Sequence, residues 1–262
     1  MLIDAHAHLA DAQELLIRRQ QHIDSGFCAT DPDTAEQLCR LFLQTGDTRV
    51  LAHMQAALHP WKARDYTFSQ MRPYLETVRV IGEIGLDSVW TDVPMTLQRR
   101  VFMEQLELAQ ALDRPVVLHT KGMEREIAQT LEKFTMRKLI HWYSAMEELP
   151  RYIAQDCYFS VGPDYKTNPA VQQVIARVPL DRLLTETDGL GAVAWATGQP
   201  VTPEQTAQVL RGELAEIAAR KSIPIETAER CIAANFHRFL REAQCASAHE
   251  HLAALAVDDL AL

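Results

Sequence analysis

Short apolar and β-branched runs recur along the chain, each followed by a longer stretch in which apolar positions return every three or four residues. Eight runs are expected to be strands: residues 2–5, 26–29, 50–57, 79–83, 115–119, 138–141, 157–161 and 182–186. Strands alternating with helices imply a parallel sheet. Eight such units in a chain of this length fit an α/β (β/α)8 TIM-type barrel better than an open sheet.

The intervening helices leave readable signals. Asp31 followed by Pro32 offers an N-cap acid with proline at the first helical position, and Leu38, Leu41 and Phe42 then form one apolar face. From Thr96 onward Phe102, Leu106, Ala109 and Leu112 fall at helical spacing, as do Val209, Leu210, Leu214 and Ile217 further on. A last helix is expected over 224–240. The alanine-rich tail 241–262 reads as a C-terminal extension, either helical or partly disordered. With no repeat, linker or low-complexity block, residues 1–240 are expected to be a single hydrolase domain.

Composition narrows the possibilities. The net charge of -9 speaks against a protein that coats nucleic acid with a broad basic face, so a polyanion would be gripped locally or through metal ions. Five cysteines without a CxxC pair argue against a disulfide framework. No stretch approaches a membrane span and the first residues do not read as a signal peptide, so a cytoplasmic setting is expected.

The candidate chemistry starts in the first strand. Asp4, His6 and His8 alternate with Ile3, Ala5 and Ala7, which puts two imidazoles on one face. Asp4, on that face, is a candidate acceptor for a ligand imidazole. In a (β/α)8 barrel the C-terminal strand ends build the active face. Glu83, His119 and His141 fall at the ends of strands four, five and six, and Glu186 and Asp188 follow strand eight. Mixed nitrogen and oxygen donors of this kind suit zinc, manganese, cobalt or magnesium, and one carboxylate can bridge two ions about 3.5 to 4 Å apart. That is hydrolase chemistry. His22, His53, His237, His249 and His251 lack the pattern and receive no role.

The motifs Ile3-Asp4-Ala5-His6-Ala7-His8-Leu9, His59-Pro60, Gly82-Glu83-Ile84-Gly85-Leu86-Asp87, Pro115-Val116-Val117-Leu118-His119, His141-Trp142-Tyr143-Ser144, Glu186-Thr187-Asp188 and Asn235-Phe236 occur in series. In that order and spacing the chain resembles the TatD-like metal-dependent deoxyribonucleases of the amidohydrolase-type barrels. The resemblance implies that His6, His8, Glu83 and Asp188 bind one divalent ion and Glu83, His119 and His141 a second, with Glu83 bridging. It implies Mg2+, Mn2+ or Zn2+ as cofactors and Asp188 as the group that takes a proton from the attacking water. It also implies cleavage of DNA phosphodiesters, often 3′ to 5′ from single-stranded ends. Three departures stand out. Lys121 replaces an arginine after His119, keeping charge but losing bidentate phosphate geometry. Gly189-Leu190 replaces a small residue and proline after Asp188, which is expected to loosen that loop. No aromatic follows Asp87 until Trp90.

Substrate contacts are expected from His59 and Lys121, with Trp61, Trp142 and Tyr143 as stacking faces for unpaired bases. Trp90, Trp195 and Tyr165 fall on comparable loops, and each of these rings either stacks substrate or closes the barrel mouth. Lys62, Arg64, Arg125 and Lys166 add positive charge. Two rival readings remain open. The same barrel could hydrolyse an amide, lactone or small phosphoester, although no lysine stands at the strand-four position where many related amidohydrolases bridge their metals. Alternatively, the chain could be a partner-binding subunit of a multi-protein system, since TatD-like proteins occur in bacterial anti-phage defence.

Overall fold

The apolar runs form strands because they are buried on both faces, the environment in which a parallel strand loses its polar alternation. A computed structural model describes residues 1–46 and 52–240. Its strands are β1 (Leu2–Ala7), β2 (Ile23–Ala29), β3 (Gln55–Ala56), β4 (Val80–Asp87), β5 (Val116–Lys121), β6 (Lys138–Ile140), β7 (Tyr158–Val161) and β8 (Leu183–Thr185). They stand in chain order in one eight-stranded sheet, and the fold class is that of the (β/α)8 barrels. Residues 50 and 51 of the expected third strand, and the tail 241–262, lie outside the described residues. Two compact units divide the rest: Met1–Phe27 with Leu139–Phe239, and one built on Cys28–Lys138.

In the first unit β1 pairs with β2, β6 with β7 and β7 with β8, all parallel. The Thr185 hydroxyl donates to the Ile3 carbonyl at 2.6 Å, tying β8 to β1. The helix α1 (Ala12–Gln20) starts at Asp11, whose carboxylate accepts from the Glu14 amide, and α1 turns Glu14, Leu15 and Arg18 inward. The expected helices over Val209–Ile217 and 224–240 are present as Thr206–Lys221 and Ile225–Leu240.

In the second unit β3 lies between the end of β2 and β4, and β4 pairs along most of its length with β5. Asp31 caps the helix Pro32–Thr45 through a reciprocal capping box with Thr34. The helix Met95–Ala111 buries Phe102, Leu106 and Ala109, as its spacing predicts. β4 runs four residues past its expected end, so Glu83 sits inside the strand rather than at its tip. Each of Ile81, Ile84, Val116, Val117 and Leu118 is fully buried and contributes about 1.5–3 kcal/mol. Together they offset the several kcal/mol of desolvating one paired carboxylate.

The β4–β5 approach is close. Gly85 has φ +157°, and a Cβ there would lie 1.9 Å from the His119 carbonyl oxygen. Only glycine lets β4 meet β5 at the Gly85–His119 register position. Gly85→Ala is expected to lower the unfolding free energy by roughly 3 kcal/mol in urea titrations.

Candidate metal centre

β1 carries His6 near its end, fully buried, with His8 just beyond it and 39% exposed at the side chain. In the same unit His141 directly follows β6 and Asp188 stands three residues past β8. Asp188 adopts φ 56°, a left-handed conformation that aspartate tolerates better than most side chains. Its amide donates to the His6 carbonyl at 3.1 Å. Asp188 Oδ1 then lies 3.5 Å from His6 Nε2 and 3.4 Å from His8 Nε2. Donor atoms of His6, His141 and Asp188 all lie within 4.8 Å of one another. Bonds of about 2.1 Å to a tetrahedral cation would separate two ligand atoms by about 3.4 Å, so this donor set fits a divalent ion.

What fixes this cluster is a buried ion network. The Asp4 carboxylate accepts from Arg18, from the Thr187 amide at 2.8 Å and from the Thr187 hydroxyl at 2.6 Å. Arg18 Nε also donates to Glu14 at 2.7 Å. Burial works against the Arg18 charge, but Asp4 and Glu14 outweigh it and hold the guanidinium above its usual range. Asp4 was expected to orient an imidazole. It instead anchors Thr187, and through it the Asp188 turn. The expected loosening at Gly189 is also corrected: its amide donates to Thr187 Oγ1 at 3.1 Å, and a Cβ there would lie 2.6 Å from the His8 carbonyl. Glycine serves close approach, and the helix Leu190–Thr197 begins at once.

Glu186 Oε1 stands 3.6 Å from His141 Nδ1, and the Glu186 amide donates to Glu213 at 3.2 Å. Burial pushes the Glu213 carboxyl well above the usual range, with Asp4 and Glu186 adding to the shift.

The second unit builds its own donor set from β4, β5 and the turn after β3. His59 Nε2 lies 2.6 Å and His119 Nδ1 3.2 Å from Glu83 Oε1. The tautomers follow from the partners. The Trp61 amide donates to His59 Nδ1, so Nε2 carries the proton that Glu83 accepts. His119 Nε2 faces Asp87 Oδ2 at 2.9 Å, and a carboxylate can only accept, so that nitrogen is the donor. Asp87 also accepts from Trp61 Nε1 at 2.6 Å and from the Val89 and Trp90 amides at 2.7 and 2.8 Å. Burial alone would raise its pKa, yet the hydrogen bonds from His119, the Trp90 amide, Trp61 and the Val89 amide outweigh it and hold it at about 2. His59, Glu83 and His119 offer donors within 4.8 Å of one another.

The expected metal ligands therefore gather in two sets, His6, His8, His141 and Asp188 in one unit and Glu83 with His119 in the other. The substrate contacts divide. Trp61 is 44% exposed and stands edge-on to His119 with centroids 6.0 Å apart. Trp142 donates from Nε1 to Asp164 at 2.7 Å and meets the exposed Trp195 edge-on at 6.0 Å. Lys121 Nζ lies over the Trp90 ring at 5.7 Å. Two expectations are corrected. Tyr143 is 1% exposed, packed edge-on to Tyr152 and Phe159 with its hydroxyl donating to the Glu147 carbonyl, so its ring offers substrate no face. His59, expected to contact substrate, is buried with both ring nitrogens engaged, Nδ1 by the Trp61 amide and Nε2 by Glu83, and holds Glu83 instead. Asp87, Arg18, Thr187 and Glu213 were missed as site residues. Of these Asp87 and Thr187 carried a signal, standing in the Gly82–Asp87 and Glu186–Asp188 motifs.

Donors of this kind on a (β/α)8 scaffold define a class, the metal-dependent hydrolases. Residues 3–241 match the model of the TatD related DNase family, and the chain belongs to it. It is 28% identical over 225 residues to the uncharacterized metal-dependent hydrolase YjjV of Escherichia coli K12, covering 79% of this chain and 86% of that protein. The crystal structure of that TatD homolog superposes with a TM-score of 0.75 at 26% identity, over 91% of this chain and 97% of the other. The human 3′-5′ RNA nuclease TATDN2 is 31% identical over 144 residues, 50% of this chain and 19% of that protein. Among the described residues, no helix is long and apolar enough to cross a membrane.

Removing one partner of a buried ion pair strands the others, at about 3–5 kcal/mol. Arg18→Ala is expected to lose that much stability in urea unfolding.

Proposed function

We propose that the chain is a metal-dependent deoxyribonuclease that shortens DNA from single-stranded 3′ ends, using two divalent ions. The observation that carries this reading is the gathering of imidazoles and carboxylates, most of them buried, into donor sets in and just after the strands, in a member of a DNase family. Ions bound there would neutralise phosphoryl charge and lower the pKa of a water toward neutrality. His6, His8, His141 and Asp188 would hold a cation in one unit, and Glu83 with His119 would hold one in the other. Asp188 accepts the nucleophile's proton at a carboxylate oxygen. Lys121 meets the phosphate backbone, and Trp61 and Trp142 present π-faces to unpaired bases. Cys28, Cys39, Cys157 and Cys231 are thiols, which suits the cytoplasmic setting we propose.

The test combines elemental analysis of purified protein with digestion of end-labelled single-stranded DNA, double-stranded DNA and RNA. We expect shortening of single-stranded DNA from its 3′ end, abolished by chelator and restored by Mg2+ or Mn2+. Preference for RNA, the substrate class in TATDN2's name, would move the assignment to that polymer. His6→Ala, Glu83→Ala and Asp188→Asn are each expected to lower the cleavage rate by at least about 100-fold while unfolding cooperatively. Wild-type rates in all three metal-supplemented variants would overturn the mechanism.

A further inference from the structure

Asp87 gathers four N–H donors on two oxygens: the His119 ring and the Trp61 indole on Oδ2, and the Val89 and Trp90 amides on Oδ1. It is fully buried at the end of β4, and the Gln98 side chain brackets its backbone, accepting from the Asp87 amide and donating to its carbonyl. Because the carboxylate accepts a hydrogen bond from His119 Nε2–H, Nδ1 is the unprotonated nitrogen, turned toward Glu83. The same oxygen fixes the partly exposed Trp61 ring beside that imidazole, and the other shapes the turn leading into Trp90, over which Lys121 lies.

We propose that Asp87 is a positioning residue for the metal centre, holding His119 so that Nδ1 is its ligand atom and holding Trp61 in register with it. This rests on the assignment of His119 as a metal ligand. Carboxylates that orient ligand imidazoles in this way are typically worth roughly 10–100-fold in metal affinity. An asparagine cannot replace this one, because its amide nitrogen would face two of the four donors with a donor of its own.

Full-length protein is titrated calorimetrically with Mn2+, comparing wild type, Asp87→Asn and His119→Ala, with thermal unfolding followed in parallel. His119→Ala is expected to abolish one of two binding events. Asp87→Asn is expected to weaken that same event by roughly 10–100-fold while leaving the other within about twofold. In Zn2+-loaded wild type, ring 15N spectra are expected to show His119 bound through Nδ1, with a protected Nε2–H. Unchanged Mn2+ binding in a folded Asp87→Asn protein, with the event still lost in His119→Ala, would overturn the inference and leave the function standing. Unchanged binding in both variants would overturn the ligand assignment itself. Should Asp87→Asn fail to fold, the wild-type spectra decide, since ligation through Nε2 is incompatible with the proposal.

Discussion

The Asp4 carboxylate on β1 is the contact on which the donor set of the first unit depends. It is fully buried and answers three donors, a guanidinium, an amide and a hydroxyl, two of them from Thr187. An isolated charge in that position would cost several kcal/mol. Paired with Arg18, it ties the segment after β8 to the first strand, and the left-handed turn at Asp188 then faces its carboxylate toward His6 and His8. Arg18 in turn is held by Glu14 on the same helix face, so a short surface helix helps to set a buried donor set.

The second unit reaches a similar end differently. There a glycine lets two strands approach, and the close register sets Glu83 among imidazoles. Asp87 supplies what Asp4 supplies elsewhere, a buried acceptor that determines which way a neighbouring group points. In both units a buried carboxylate, Asp4 or Asp87, orients the segment or ring that offers a donor to the cluster, and is itself held by an arginine, an indole or backbone amides.

Much of this was legible in the sequence because it rests on periodicity. Each of the eight runs overlaps a strand, although the third shrinks to Gln55–Ala56, and His6, Glu83, His119, His141 and Asp188 stood out as candidate ligands from where those runs end. The limits lay where the backbone leaves its regular path. Trp142 takes φ 35°, which ends the alternation of β6 and turns Tyr143 into the core instead of the rim. The turn at His59 likewise draws that ring inward to Glu83. Asp87 was quoted within its motif, yet nothing in one-dimensional spacing shows that four donors converge on it. Gly189 read as a loosening substitution because the carbonyl it packs against lies some 180 residues earlier in the chain.

That separation has a consequence for synthesis. The bonds from Thr185 to Ile3 and from Thr187 to Asp4 span 182 and 183 positions. At about 5–20 residues per second, a ribosome needs roughly ten to forty seconds between making the first strand and making its partner. Throughout that interval the nascent polypeptide carries His6 and His8 but not Asp188, so a half-made chain holds an incomplete set of donors. The donor set of the first unit is complete only once the ribosome has passed Asp188.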